Sequence, residues 1–300
     1  MDHRQCGSIF AMCSLILSLG FSQPKQDKQT NTGTGERPQL SVVLKVPGME
    51  DVIIKKDIVY TAEQDTRHTV EMYYPPGFHF GSNLPAVLIV FGFSNEVQEK
   101  FIGSRFKDTG WYRSWGKIIA ASGMAALLYE ADSPEEDLNI LLQFLQDRSE
   151  EFCIDKDRLG MYSCSGNAPL AFVNCMDKTK PYFRCAVLYY GYLLMSDQKN
   201  ISEIESLAEK LGFSAPILDA EQKLRDDLPL LIVRAGLENN PHLNGTIDHF
   251  AAKALGQNLP LTLINYGNGR HGFDAYDDND QTREIVKRTI DFWKFHLFDQ

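Results

Sequence analysis

Several marks of common protein classes are missing from this 300-residue chain. Its six cysteines and seven histidines contain no Cys-x-x-Cys pair and no His-Glu-x-x-His segment, which argues against a structural zinc protein. Basic residues never run longer than a pair, and 30 Lys and Arg face 40 Asp and Glu, a net charge of −10. Nucleic-acid binding draws on a basic surface that releases phosphate counterions, so no nucleic-acid partner is expected. The first apolar run, Ile9 to Leu19, falls short of the ~20 residues a helix needs to cross a bilayer. Apolar side chains are plentiful, at 43% hydrophobic and 11% aromatic residues. That is enough to bury a core and to exclude global disorder.

The first 22 residues read as a signal peptide. Arg4 supplies a weak positive region, Ile9 to Leu19 the apolar stretch, and Gly20-Phe21-Ser22 small residues at the −3 and −1 positions of a cleavage site. Removing them takes away one acid, Asp2, and one base, Arg4, so the charge stays at −10; it also takes Cys6 and Cys13. Cys153, Cys164, Cys175 and Cys185 remain, with nothing in their spacing to assign pairs. The reading implies an exported, periplasmic or extracellular, protein with no membrane span in its mature chain. Residues 23–38 (QPKQDKQTNTGTGERP) are almost devoid of apolar side chains and read as a flexible polar linker. No second linker or internal repeat interrupts 39–300, which is expected to form one domain.

Within it the pattern alternates. Strand-like runs fall at 51–60, 68–74, 85–91, 124–130, 158–163, 184–190, 229–234 and 260–266, the later ones nearly continuous in apolar residues. Helical periodicity falls at 111–122, 136–151, 166–176, 246–256 and 282–297. Two early strands followed by β–α alternation predict an α/β fold, a mostly parallel eight-stranded sheet with helices on both faces. The segment 192–227 is a small cap candidate whose Lys199, Glu203, Glu205, Glu209 and Lys210 suit a solvated helix face. Ligands of such sheets bind beyond the carboxyl ends of the strands, so chemistry is sought there.

The strand at 158–163 runs straight into a helix through RLGMYSCSGNAPLA (158–171). A nucleophile elbow has this layout: an apolar strand, a nucleophile in a turn with positive φ, then a helix. The residues two before and two after the nucleophile must be small. Centred on Ser165 they are Ser163 and Asn167; centred on Cys164 they are Tyr162 and Gly166, and the tyrosine disfavours the thiol. An ordinary βα turn with Ser163 or Ser165 capping the helix fits the motif alone equally well.

A serine hydroxyl needs a base, and the base an acid to orient it. Downstream of Ser165 stand His242, His249, His271 and His296. His249 and His296 fall inside helical patterns, and His242 follows a proline in a loop as the reserve candidate. His271, in GNGRHGFD (267–274) between the last strand and the last helix, is the candidate base. LPLLIVRAGLENN (228–240) ends a strand at Glu238, the candidate acid; Asp248 belongs to the next helix, and Asp274 lies too close in sequence to buttress the histidine. An oxyanion hole needs two backbone N–H donors: Gly166, after the nucleophile, and Phe93, behind Gly92 at the end of LPAVLIVFGFSNE (84–96). Trp111, Tyr112, Trp115, Tyr189, Tyr190 and Tyr192 either line a pocket or pack the core.

These segments together resemble the α/β-hydrolase superfamily, and within it the dienelactone-hydrolase-like serine esterases. The likeness rests on the elbow at Ser165, AGLE at 235–238, HGFD at 271–274 and the element order of residues 40–300. It implies an α/β-hydrolase fold and hydrolysis of a small-molecule ester through a Ser165–His271–Glu238 triad and an acyl-enzyme, without metal or organic cofactor. The chain departs from the pattern in three places. Serine stands where dienelactone hydrolases proper use cysteine, Asn167 where glycine is usual, and Phe91 where many relatives have histidine. Two other readings stay open: a catalytically silent hydrolase fold that binds, and a peptidase related to the prolyl-oligopeptidase type. The residues name neither the ester nor the oligomeric state.

Overall fold

The computed structural model describes residues 40–61 and 68–298. The signal-peptide and linker segments, 1–22 and 23–38, lie outside the described residues. Eight strands form one sheet: β1 (Ile53–Val59), β2 (Thr69–Tyr74), β3 (Leu84–Ile89), β4 (Ala125–Tyr129), β5 (Ile154–Cys164), β6 (Phe183–Tyr189), β7 (Leu230–Ala235) and β8 (Leu261–Tyr266). Their order across the sheet is β1-β2-β4-β3-β5-β6-β7-β8. β2 runs antiparallel to both β1 and β4, and every other pairing is parallel.

All eight strands fall where the alternating pattern places them. β5 differs in starting four residues before 158. Its leading Ile154 pairs with Leu84 and the next pair is Ala86 with Leu159, so the extra residues bulge out of β5. The first part, Asp155 to Arg158, is partly solvated, which is why its polar residues read as a loop.

The helices are α1 (Asn95–Ile102), α2 (Gly110–Ala121), α3 (Pro134–Arg148), α4 (Ala168–Met176), α5 (Ile201–Leu211), α6 (Leu243–Gly256), the single turn α7 (Phe273–Tyr276) and α8 (Asp280–Phe298). On one face α2 meets α8, with Trp115 edge-on to Trp293 at 5.9 Å. On the other, α4 meets α6 through Phe172 and Phe250. Tyr162 of β5 and Tyr189 of β6 join the two tryptophans in a fully buried aromatic layer beneath the carboxyl ends of the central strands. α1 escapes the periodicity because only Val97, Phe101 and Ile102 mark its apolar side. Its ends are local: the Ser94 Oγ accepts from the Val97 N–H at 3.3 Å, and Gly103 closes it in the left-handed region at φ 78°.

Between α1 and α2 the chain is held down by buried charge. Lys107, 3% exposed, places its Nζ 3.3 Å from both Glu71 and Glu130, themselves almost wholly buried. Arg105 pairs with Glu130 and, at 2.8 Å, with Asp108. Phe106, carried by this segment, packs on Phe91 and Phe93. Removing one partner of a buried pair leaves the other charge uncompensated. Lys107→Ala is therefore expected to cost about 3 kcal/mol or more of unfolding free energy, measured by denaturant unfolding against Lys117→Ala, a surface lysine on α2. A loss under about 0.5 kcal/mol, the range of ordinary surface substitutions, contradicts the anchoring role.

Candidate active site

β5 ends at Cys164, and Ser165 turns the chain with φ 56°, in the left-handed region, before a short 3₁₀ turn leads into α4. For a residue with a Cβ such a conformation costs of order 1–3 kcal/mol and persists only where the surroundings enforce it. They do so here by proximity. A Cβ on Gly166 would come 2.9 Å from the Phe93 ring, and one on Gly191 would come 2.2 Å from the Ala168 Cβ. The chain leaving β6 thus crosses directly against the elbow. Pro169 sits in the first turn of α4, where no intrahelical donor is lost. Ser163 is buried, its hydroxyl donating to the Val90 carbonyl at 3.1 Å. Asn167 has ordinary helical angles, φ −80° and ψ −22°, so the backbone makes no demand for glycine there.

Glu238 and His271 come from the loops that follow β7 and β8. These loops are laced together: the Gly236 N–H donates to the Tyr266 carbonyl at 2.8 Å and the Leu237 N–H to the Gly269 carbonyl at 2.9 Å. A Cβ on Gly236 would lie 2.3 Å from the Gly267 carbonyl oxygen, so only glycine lets them approach. The result brings three side chains into line. The Nε2 of His271 is 2.8 Å from the Ser165 Oγ, and its Nδ1 hydrogen-bonds a carboxylate oxygen of Glu238. The Glu238 side chain is wholly buried, and its second oxygen accepts from the Asn240 N–H at 2.9 Å. Asn240 is held in turn by the Tyr192 hydroxyl at 2.8 Å. Asn240 and Tyr192 thus support the acid, a role that the strand-end pattern by itself does not mark. The Asn240-Pro241 turn, closed by the His242 N–H on Asn240 Oδ1 at 3.0 Å, was its legible signal.

The remaining candidates are occupied elsewhere. His242 faces Asn200 and Glu203, His249 pairs with Asp197 at 2.8 Å, and His296 packs between Phe292 and Phe295. Asp248 pairs with Arg234. Asp274 is fully buried and accepts three hydrogen bonds, from the Trp111 and Trp115 indoles at 2.8 and 2.9 Å and from the Tyr190 hydroxyl. Burial raises its pKa above the usual carboxyl range, against the pull of these donors. The ring of Tyr190 also packs on His271, with centroids 4.8 Å apart. Asp274 thereby ties α2 and the end of β6 to the turn bearing the histidine. Cys164 is buried beside the Tyr112 hydroxyl at 3.3 Å, and burial pushes its thiol up to about 12.

Phe93 and Gly166 both border a cavity of about 360 Å³ that opens on Ser165. Its walls are chiefly α1, through Val97, Phe101 and Ile102, and Phe213 behind α5. Trp111, Tyr112 and Tyr192 line it; Trp115 and Tyr189 belong to the core. The two helices that wall the cavity meet at Gly212, where a Cβ would come 2.9 Å from Val97. Among the described residues, no Asp, Glu, Lys or Arg lines the cavity. No group of three or more His, Cys, Asp and Glu side chains among them is placed to hold a metal ion.

No family model matches the chain, and no curated protein matches it. Solved structures do. The propionate-bound thermophilic esterase Est2 of the planctomycete Thermogutta terrifontis is similar with a TM-score of 0.59 and 18% identity, over 83% of this chain and 97% of that one. Esterase LipW of Mycobacterium marinum is similar with 0.61 and 18%, over 83% and 82%. MGS-M1, an α/β hydrolase enzyme from a Medee basin deep-sea metagenome library, gives 0.56 and 16%, over 82% and 98%. The sheet order and these likenesses together establish the α/β-hydrolase fold for this chain.

Two expectations follow from the surroundings of the elbow. A thiol raised to about 12 is protonated throughout pH 7–9, so Cys164 should resist a disulfide reagent in the native protein and react on unfolding. Its rapid native modification at pH 8 contradicts this. Asp274→Asn replaces one of the two acceptor oxygens with an amide NH2, so either the two indoles on Oδ2 or the Tyr190 hydroxyl on Oδ1 lose their acceptor. At about 1–3 kcal/mol for a buried donor left unsatisfied, a loss of at least about 1 kcal/mol is expected in chemical denaturation. An unchanged midpoint would remove the tether assigned to it.

Proposed function

We propose that this chain is a serine hydrolase of carboxylic esters, in the dienelactone-hydrolase-like branch of its fold. The observation that carries the reading is the contact of His271 with Ser165 at 2.8 Å and with Glu238, at the mouth of an apolar cavity. His271 Nε2 takes the Ser165 proton as Oγ adds to the ester carbonyl, and the developing oxyanion accepts from the Phe93 and Gly166 N–H groups. Collapse of the tetrahedral adduct expels the alkoxide, which receives that proton from His271, and an acyl-serine remains. Water then repeats the sequence and frees the acid. Glu238 keeps the Nδ1–H of the ring directed and stabilises the imidazolium. The relatives support the acyl chemistry: the Thermogutta esterase has been solved with propionate and butyrate and phosphonylated by sarin.

The cavity narrows the substrate. An ester whose apolar arm fills the space between α1 and Phe213 buries carbon against carbon. An arm ending in a carboxylate would carry its charge into a lining without a cation, at a cost of several kcal/mol. The reading is therefore of an uncharged ester with a small or medium apolar group. Residues 1–22 support export of the mature chain, whose N-terminus would be Gln23; mass spectrometry of the secreted protein tests this, and an intact Met1 would overturn it.

A fluorophosphonate probe should label wild type at Ser165. Ser165→Ala should lose both the label and turnover, by on the order of 10⁶ in kcat if the three residues act as a unit. Cys164→Ala should keep most of its activity, and Glu238→Gln should lose on the order of 10⁴ with little change in KM. Failure of wild type to label or to turn over any neutral ester would leave a binding protein in place of an enzyme. Among substrates, p-nitrophenyl butyrate should exceed its carboxylate-bearing counterpart, p-nitrophenyl succinate, by about 100-fold or more in kcat/KM. Equal rates would remove the substrate assignment while leaving the triad intact.

A further inference from the structure

Asn167 stands two residues after Ser165, where the elbow pattern has glycine. Its backbone angles are ordinary, so nothing in the local conformation requires glycine there. It is 2% exposed, and both ends of its amide are engaged. The Gly92 N–H donates to Oδ1 at 2.7 Å, and Nδ2 donates to the Tyr112 hydroxyl at 3.0 Å. The assignment of the two amide ends is forced, because a backbone N–H can only donate and must meet the oxygen. The Tyr112 hydroxyl, accepting from Asn167, has its own proton free for the Cys164 sulfur at 3.3 Å.

Gly92 lies just past the end of the β3–β5 ladder, beyond the Val90 N–H that still donates to the Tyr162 carbonyl at 2.9 Å. No sheet partner serves its amide. Its carbonyl is taken by the Ser214 N–H at 2.7 Å, within the isolated bridge between Phe93 and Phe213. The peptide plane before the Gly92 Cα is thus tied to the elbow and the plane after it to the segment behind α5. In a planar trans peptide the N–H points opposite to the preceding carbonyl, so these ties fix the direction of the Phe93 N–H. The Phe93 carbonyl is anchored as well, by Gln98 Nε2 at 2.7 Å. A Cβ at position 92 would come 3.1 Å from Asn167 Cα and from the Gly166 carbonyl oxygen, so the two loops touch with no side chain between them.

We propose that Asn167 is a positioning residue for the oxyanion hole, its carboxamide holding the Gly92 amide so that the Phe93 N–H is aimed before substrate arrives. The inference rests on the ester-hydrolase reading, since it assigns Phe93 a task only that chemistry requires. In place of a glycine, the chain carries a side chain that couples the two donors of the hole: Gly166 is its neighbour in sequence and Gly92 its partner in space. An oxyanion donor acts on the tetrahedral state and little on the planar ester. Misdirecting one should therefore lower kcat and spare KM. Removing a whole donor costs about 10²–10³ in kcat, and a donor left present but loosely aimed should cost less, about 10–100-fold.

The test compares wild type with Asn167→Ala on p-nitrophenyl butyrate and on two inhibitors. One is butaneboronic acid, whose boron takes the Ser165 Oγ to give a tetrahedral anion; the other is butyramide, planar and unreactive. Expected for Asn167→Ala are a 10–100-fold fall in kcat, KM within about 3-fold, boronate affinity weakened in step with kcat, and butyramide affinity unchanged. Asn167→Gly, which restores the usual elbow residue, should behave alike and serves if the alanine variant fails to fold, as judged by its thermal transition. Parallel losses for boronate and butyramide, or a kcat equal to wild type, would overturn the positioning role while wild-type turnover kept the ester-hydrolase reading intact. A wild type that neither turns over the ester nor binds the boronate would overturn both readings together.

Discussion

The left-handed turn at Ser165 is the constraint around which the carboxyl end of the sheet is organised. A side chain held at φ 56° lifts its hydroxyl above the strand ends, but the conformation is unfavourable in isolation and must be over-determined by its neighbours. Two chain crossings do this within a few ångströms: the end of β3 at Gly92 against Gly166 and Asn167, and the end of β6 at Gly191 against Ala168. Each crossing requires a residue without a Cβ on one side. The glycines at 92, 166 and 191 therefore serve one place in different ways: Gly92 lets its backbone approach that of Gly166 and Asn167, Gly166 makes room for the Phe93 ring, and Gly191 for the Ala168 Cβ.

The site holds two buried carboxyl groups with different work. Glu238 accepts from an imidazole and one backbone N–H, so its carboxyl group sets the orientation of the His271 ring. Asp274 accepts from three neutral donors and pairs with no Lys or Arg among the described residues, an arrangement that fastens α2 to the histidine loop through two indoles and a phenol. Sequence distance separates them for a steric reason. Three residues from His271 and inside its own turn, Asp274 points into the aromatic layer, whereas Glu238 arrives on a different loop and can face the ring. The lacing of that loop to the β8 loop through Gly236 and Gly269 makes the approach reproducible.

Much of this arrangement was legible in the chain. The central strands are apolar runs broken by polar turns, as strands covered on both faces require. Ser165, Glu238 and His271 each end a strand or follow one, so the alternation that located the strands also located them. What was not legible depended on contacts between segments far apart. α1 has a single apolar edge because its other sides are solvated, and periodicity is weak over eight residues. Asp155 to Arg158 are polar because that end of β5 projects past the covered part of the sheet. Asn167 read as an awkward substitute for glycine because the rule for that position concerns bulk, while its use lies in a hydrogen bond to a residue 75 positions earlier.

The cavity makes the same point for specificity. Its floor, with Ser165 and His271, comes from strand ends, which the fold fixes, while its walls come from α1 and the segment around Phe213, which the fold leaves free to vary. The two walls are not independent of the floor. Phe213 pairs with Phe93 in an isolated bridge, Ser214 holds the Gly92 carbonyl, and Gln98 of α1 holds the Phe93 carbonyl. A substitution that reshapes either wall therefore pulls on the peptide that bears the Phe93 N–H. Under the proposed ester-hydrolase reading, substrate choice and the aim of that donor are mechanically coupled. Among the described residues, the Asn167 amide is the hydrogen-bonded tie on the Gly92–Phe93 segment that comes from the floor, and it is the tie that changes in α1 or around Phe213 would leave in place.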